Sequence, residues 1–174
     1  MRLSELLKRD NNNLDIFRLL AAALVIYGHA YAIAPQEGRS DVFGRWLGYD
    51  YSGSLAVKVF FFLSGLVVTN SLLSKRDVVQ FVVARFFRIW PGLLVVIVLC
   101  AMVLGPLLTV LPPGAYWTEP QTWRYVTYNL LLVPQYALPG VFAGNPHANV
   151  VNGSLWTIVL EVGASLGLLA LFMV

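Results

Sequence analysis

The sequence predicts an all-α, polytopic transmembrane helical bundle with four spans, an interfacial helix and a long outer loop. Three observations carry that prediction. Of 174 residues, 58% are apolar and only 12% charged, with a mean hydropathy of +0.70, whereas a soluble domain carries roughly a quarter charged residues. The apolar residues gather into runs long enough to cross a bilayer, and the cations flank those runs, as topology signals do. The formal charge of +3 is therefore not an exposed basic patch, and nucleic acid is excluded as a partner. The single cysteine, Cys100, lies inside an apolar run, so neither an intrachain disulfide nor a thiolate metal cluster can form.

Crossing the hydrocarbon core takes about 20 apolar residues. Residues 14–34, 55–73 and 90–111 meet that standard, and a fourth run occupies 155–174. This last run has no charged flank or polar tail, so the expectation is a single transmembrane domain over 1–174 that is incomplete at its C-terminus. Residues 78–90 mix apolar side chains with Arg85 and Arg88, the pattern of an interfacial helix leading into the third span at Pro91.

Lys and Arg are retained on the cytoplasmic side. Arg2, Lys8, Arg9, Lys75, Arg76, Arg85 and Arg88 lie on one side of the spans, against Arg39, Arg45 and Arg124 on the other. The N-terminus is thus expected inside a cell membrane, with residues 35–54 and 112–153 outside. Ala30-Tyr31-Ala32 resembles a signal-cleavage box, but Asp15 and Arg18 interrupt the approach to the apolar core and the rest of the chain is polytopic anyway. The loop 112–153 holds six prolines (Pro112, Pro113, Pro120, Pro134, Pro139 and Pro146) and cannot be one regular element. Its apolar stretch 125–133 is too short to span and is expected at the outer surface or as a re-entrant segment.

The informative residues are the ionisable ones inside spans, which are costly in lipid and face a polar interior. They are Asp15, Arg18 and His29 in the first span, Lys58 in the second and Glu161 in the fourth. Arg18 and His29 are eleven residues apart, which at 100° each leaves them about 20° from the same direction. The stripe 15, 18, 22, 25, 29 therefore lines a protein interior or a wet cavity, and its rise of about 1.5 Å per residue separates Arg18 from His29 by about 16 Å. Glu161, seven residues below Ser154, falls about 10 Å inside the outer surface, close to the depth of His29, so the two are expected to meet. Ser154 suits a helix N-cap, its side chain accepting a backbone N–H bond. Blander roles stand beside these. His29 can bond a backbone carbonyl, Asp15 and Arg18 can form an interfacial ion pair, Lys58 can snorkel, Arg85 and Arg88 can bind anionic headgroups, and Glu161 can hydrogen-bond between helices. His29 and His147 fall in no metal-ligand spacing, and no P-loop, GxSxG or GxGxxG is present.

Four ordered blocks resemble the acyltransferase-3 family of integral membrane O-acyltransferases. They are Leu14-Asp15-Ile16-Phe17-Arg18 followed by His29, then Ala56-Val57-Lys58-Val59-Phe60-Phe61-Phe62-Leu63-Ser64-Gly65. Next come Arg85-Phe86-Phe87-Arg88-Ile89-Trp90-Pro91 and Asn152-Gly153-Ser154-Leu155-Trp156-Thr157 with Glu161. Ala56 stands where the family often has Gly, and members carry further spans, so the resemblance covers an N-terminal part. It implies acyl transfer, commonly of acetyl from cytoplasmic acyl-CoA, to a hydroxyl of a surface saccharide or lipid-linked acceptor, with acyl-CoA as a substrate and no bound cofactor. In that scheme His29 is the catalytic histidine, Glu161 supports it in the catalytic cavity, and Arg18, Arg85 and Arg88 hold the donor. Asp15, Ser64, Ser154 and Trp156 are supporting residues. A transporter or proton-conducting subunit, with Asp15, Arg18, His29 and Glu161 as a relay, is the rival class; it has no use for Arg85 and Arg88.

Overall fold

The computed structural model describes residues 14–34, 41–75, 77–147 and 149–173. Arg2, Lys8, Arg9, Arg39 and Arg76, on which the expected orientation partly rests, lie outside the described residues. The described residues form α1 (Leu14–Ile33), α2 (Val42–Leu47), α3 (Ser52–Lys75), α4 (Val78–Leu108), α5 (Ala115–Thr118), α6 (Pro120–Leu130) and α7 (Leu155–Met173). No strand occurs among them, only two isolated bridges, Thr109 with Val141 and Ala137 with Val150. Helices α1, α3, α4 and α7 are each long and apolar enough to cross a membrane, and the chain is an integral membrane protein. It divides into two compact units, Met1–Arg76 and Asp77–Val174.

In the first unit α1 packs along α3. Small residues let them approach: Ala21 and Ala56 are buried, and Gly28 abuts Gly53. A methyl on Gly28 would collide with the Gly53 backbone nitrogen and lie 2.6 Å from Ser52 Oγ. Away from this seam Leu19 and Ile26 stay exposed, as lipid-facing side chains do. The short α2 starts at Asp41, whose side chain accepts from Gly44 N, and stops at Gly48, where φ is 74°. The second span begins at Ser52, one turn before the expected residue 55, because the acidic residues ahead of it supply the missing N-terminal partners.

The second unit departs more from expectation. Residues 78–90 are not a separate interfacial helix: α4 runs from Val78 through Pro91 to Leu108. Proline removes one backbone bond, but ending the helix beside lipid would strand several polar groups, so the helix continues. Asp77 starts it by accepting from Gln80 N at 3.1 Å. A π-helical segment, Leu99–Leu104, precedes Pro106. In that register Ala101 O would pair with the nitrogen of Pro106, which has no hydrogen; the Tyr116 hydroxyl donates to it instead, at 2.8 Å.

The loop 112–153 is folded. Helix α6 buries Thr122, Tyr125 and Asn129 and packs on α4, so one face of the stretch from 125 belongs to a protein core while Tyr128, Leu131 and Val133 stay exposed. Asn129 Nδ2 donates to Tyr125 O and Gln135 O, and its Oδ1 accepts from Gln135 N, which closes the turn after the helix. Leu93, Ile97, Cys100, Ala101, Tyr116, Tyr125, Leu138, Val141 and Leu155 form one core. Cys100 is a packed residue there. Leu155 shares this core with Leu93 and lines the same small cavity, so α7 starts beside the middle of α4.

Candidate active site: a clamped histidine and an arginine–glutamate pair

The site residues expected from the sequence fall into two groups, one in each unit. In the first unit, Asp15 Oδ1 accepts from Arg18 Nη1 at 3.0 Å on the first turn of α1, with Asp15 largely exposed and Arg18 half-buried. Arg18 Nη2 is buried and has no hydrogen-bond partner. His29 sits eleven residues further along the same stripe. Its Nδ1 lies 2.8 Å from Val25 O. A carbonyl oxygen only accepts, so Nδ1 carries the hydrogen and Nε2 of the neutral ring is left with the lone pair. Val25 thereby orients the His29 ring from within its own helix. His29 and Glu161 belong to different units.

The walls around His29 come from residues that the sequence did not single out. Its ring meets the Tyr51 ring edge-on at 6.1 Å, and a methyl built on Gly53 would lie 3.0 Å from His29 Nδ1 and 2.6 Å from the Tyr51 ring. The imidazole therefore rests against bare backbone. Ser52, next to Gly53 and fully buried, donates through both N and Oγ to Asp41 Oδ2, each at 2.8 Å. Burial by itself would raise the Asp41 pKa, but the bonds from Gly44, Ser52 and Phe43 outweigh it and hold the carboxyl below its ordinary value. Asp50, just before α3, is also lowered, first by its hydrogen bond from Lys58. Lys58 is thus ion-paired with Asp50 as well as reaching for the surface. Ser64 is half-buried further down α3.

The local sequence contains a signal for this clamp. An aspartate three residues before a glycine and at the head of a short apolar segment is an N-cap pattern, and Ser52 opens the second apolar run. What it lacks is any sign that one carboxylate serves both starts.

In the second unit Arg85 Nη1 lies 3.7 Å from Glu161 Oε1, and the guanidinium stands over the Phe81 ring at 5.7 Å from its centre. Arg88 is one turn further along α4 and exposed. Because α7 begins at the level of Leu93, Glu161 lies level with Arg85, not close beneath the end of α4 where the 112–153 fold begins. Ser154 does not cap in the expected sense: its hydroxyl and its N–H both donate to Asn152 Oδ1, at 2.6 and 3.1 Å, while its carbonyl accepts from Thr157 N. Asn152 supplies the acceptor that Ser154 was expected to offer. Trp156 is partly exposed on the first turn of α7.

A family model described as an acyltransferase domain matches residues 11–174. The chain is similar to an O-acetyl transferase of Shigella phage Sf6, 28% identical over 151 residues that cover 87% of this chain and 43% of that protein. It is also similar to nodulation protein 10 of Rhizobium leguminosarum bv. viciae, 30% identical over 162 residues, 87% of this chain and 41% of that one. The chain spans about two fifths of the length of these curated relatives. No solved structure matches it.

Proposed function

The chain belongs to the acyltransferase-3 family, and on that premise we propose that it is the N-terminal part of a membrane O-acyltransferase. The enzyme moves an acyl group, acetyl by preference, from cytoplasmic acyl-CoA to a hydroxyl of a surface saccharide or lipid-linked acceptor, in a bacterial inner membrane with the N-terminus inside. The observation that carries this reading is the hydrogen bond from His29 Nδ1 to Val25 O. It fixes the tautomer that a general base needs.

An acceptor hydroxyl is a poor nucleophile at neutral pH, and imidazole, which ordinarily titrates near 6.5, is suited to take its proton as attack begins. The proton goes to Nε2, the hydroxyl oxygen bonds to the thioester carbonyl carbon, and the carbon–sulfur bond breaks. The departing thiolate recovers the proton from the imidazolium, so His29 ends as it began. Arg85, Arg88 and Arg18 hold the donor's phosphates, for which a guanidinium fork is the fitting partner. Glu161 keeps Arg85 in place against Phe81, and Asp15 does the same for Arg18. Ser64, Ser154 and Trp156 serve by shaping the helices that carry these groups.

In membranes from cells making the full-length enzyme, His29→Ala is expected to lower acyl transfer by at least a hundredfold while the protein still inserts. Arg85→Gln is expected to raise KM for the donor about tenfold with kcat little changed, since it removes binding shared by ground and transition states. Acyl transfer surviving in His29→Ala would overturn the assignment of the base, and an unchanged donor KM in Arg85→Gln would overturn that of the donor site.

A further inference from the structure

We propose that Asp41 is a positioning residue for His29, acting through Ser52 and Gly53; the inference rests on His29 being the base. Four observations connect the two. The carboxylate of Asp41 is buried and divides its oxygens between two helix starts, Oδ1 accepting from Gly44 N at the head of α2 and Oδ2 accepting from Ser52 N and Oγ at the head of α3. Ser52 Oγ in turn lies where a methyl on Gly28 would touch it at 2.6 Å. Gly53 is the surface on which the imidazole rests, and Gly28 precedes His29 in the chain.

The physical consequence is a closed loop of constraints. The first backbone N–H groups of α3 have no intrahelical acceptor and carry the positive end of its dipole, so a buried carboxylate there fixes where α3 begins. That start fixes the approach of Gly53 to Gly28, and with it the wall against which the His29 ring is held at its Val25 contact. A base displaced by a fraction of an ångström loses alignment with the hydroxyl it deprotonates. Asp41 thus sets turnover without touching the reacting atoms.

Asn at position 41 keeps an acceptor for Gly44 N but turns an amide N–H towards Ser52 N and Oγ. In the full-length enzyme, Asp41→Asn is expected to lower kcat at least tenfold with donor KM within about twofold, at unchanged yield of detergent-soluble, folded protein. Ser52→Ala, which keeps the backbone bond and loses only the hydroxyl one, is expected to lower kcat by a few fold. The double variant is expected to be no worse than Asp41→Asn alone, because both changes break the same link. Wild-type kcat in Asp41→Asn, or losses that simply multiply in the double variant, would overturn the inference, as would a loss of activity that only tracks loss of folded protein. If Asp41→Asn does not accumulate, Ser52→Ala alone decides, wild-type kcat there counting against. These outcomes are distinct from acyl transfer persisting in His29→Ala, which would remove the base itself and leave the clamp without a catalytic purpose.

Discussion

At the scale of single residues, the proposed chemistry rests on the direction of one hydrogen bond. His29 owes its tautomer to one carbonyl in its own helix, a partner available at any i−4 position and therefore invisible as a motif. Its position on a polar stripe was legible from spacing, whereas its orienting group was not. Glu161 was legible as an ionisable group within a span, whereas its partner Arg85 was not, because residues 78–90 were expected as a separate interfacial helix. Asp41 has a measurable signature. Its folded pKa is lowered, so its contribution to stability is complete above the ordinary unfolded carboxylate pKa of about 3.9 and is lost as pH falls through the lower folded value. Chemical unfolding in detergent at pH 6 is expected to separate wild type from Asp41→Asn, with the gap closing as pH drops below 4. A gap that widened in acid would contradict the assignment.

At the scale of elements, apolar run length identified all four long helices, while their ends were set by contacts that run length does not report. Helix α4 passes Pro91 and adapts to Pro106 by a π-helical turn. The adaptation depends on Tyr116, whose hydroxyl takes up the Ala101 carbonyl and whose ring leaves no room for a side chain at Gly105. Tyr116→Phe is expected to destabilise the protein by about 1–3 kcal/mol, the range for stranding one buried polar group, and Gly105→Ala by more, both read as a drop in thermal unfolding midpoint in detergent. No change in Tyr116→Phe would mean that the carbonyl finds another donor. The loop 112–153 was recognisable as irregular from its prolines. Its two short helices and shared core with α4 were not, because the buried face of α6 includes Thr122 and Asn129, polar residues whose side chains are satisfied by nearby backbone carbonyls.

At the scale of the whole molecule, composition alone implied a membrane protein, and its few polar exceptions pointed to the chemistry. Each unit carries some of the candidate site residues. Met1–Arg76 holds a stripe with an arginine at one end and a clamped imidazole about 16 Å along, and Asp77–Val174 holds the Arg85–Glu161 pair. In the proposed reaction the separation along α1 gives a direction, the donor entering on the side of Arg18 and the acceptor meeting His29 on the other.

That direction is testable in one measurement. Sealed membrane vesicles of both orientations, prepared from cells making the full-length enzyme and supplied with acetyl-labelled CoA, separate the two faces. Labelled acceptor is expected only when the cytoplasmic face meets the donor, and none in either orientation with His29→Ala. Equal labelling from both faces in intact vesicles, or labelling that persists without the imidazole, would contradict the proposed reaction.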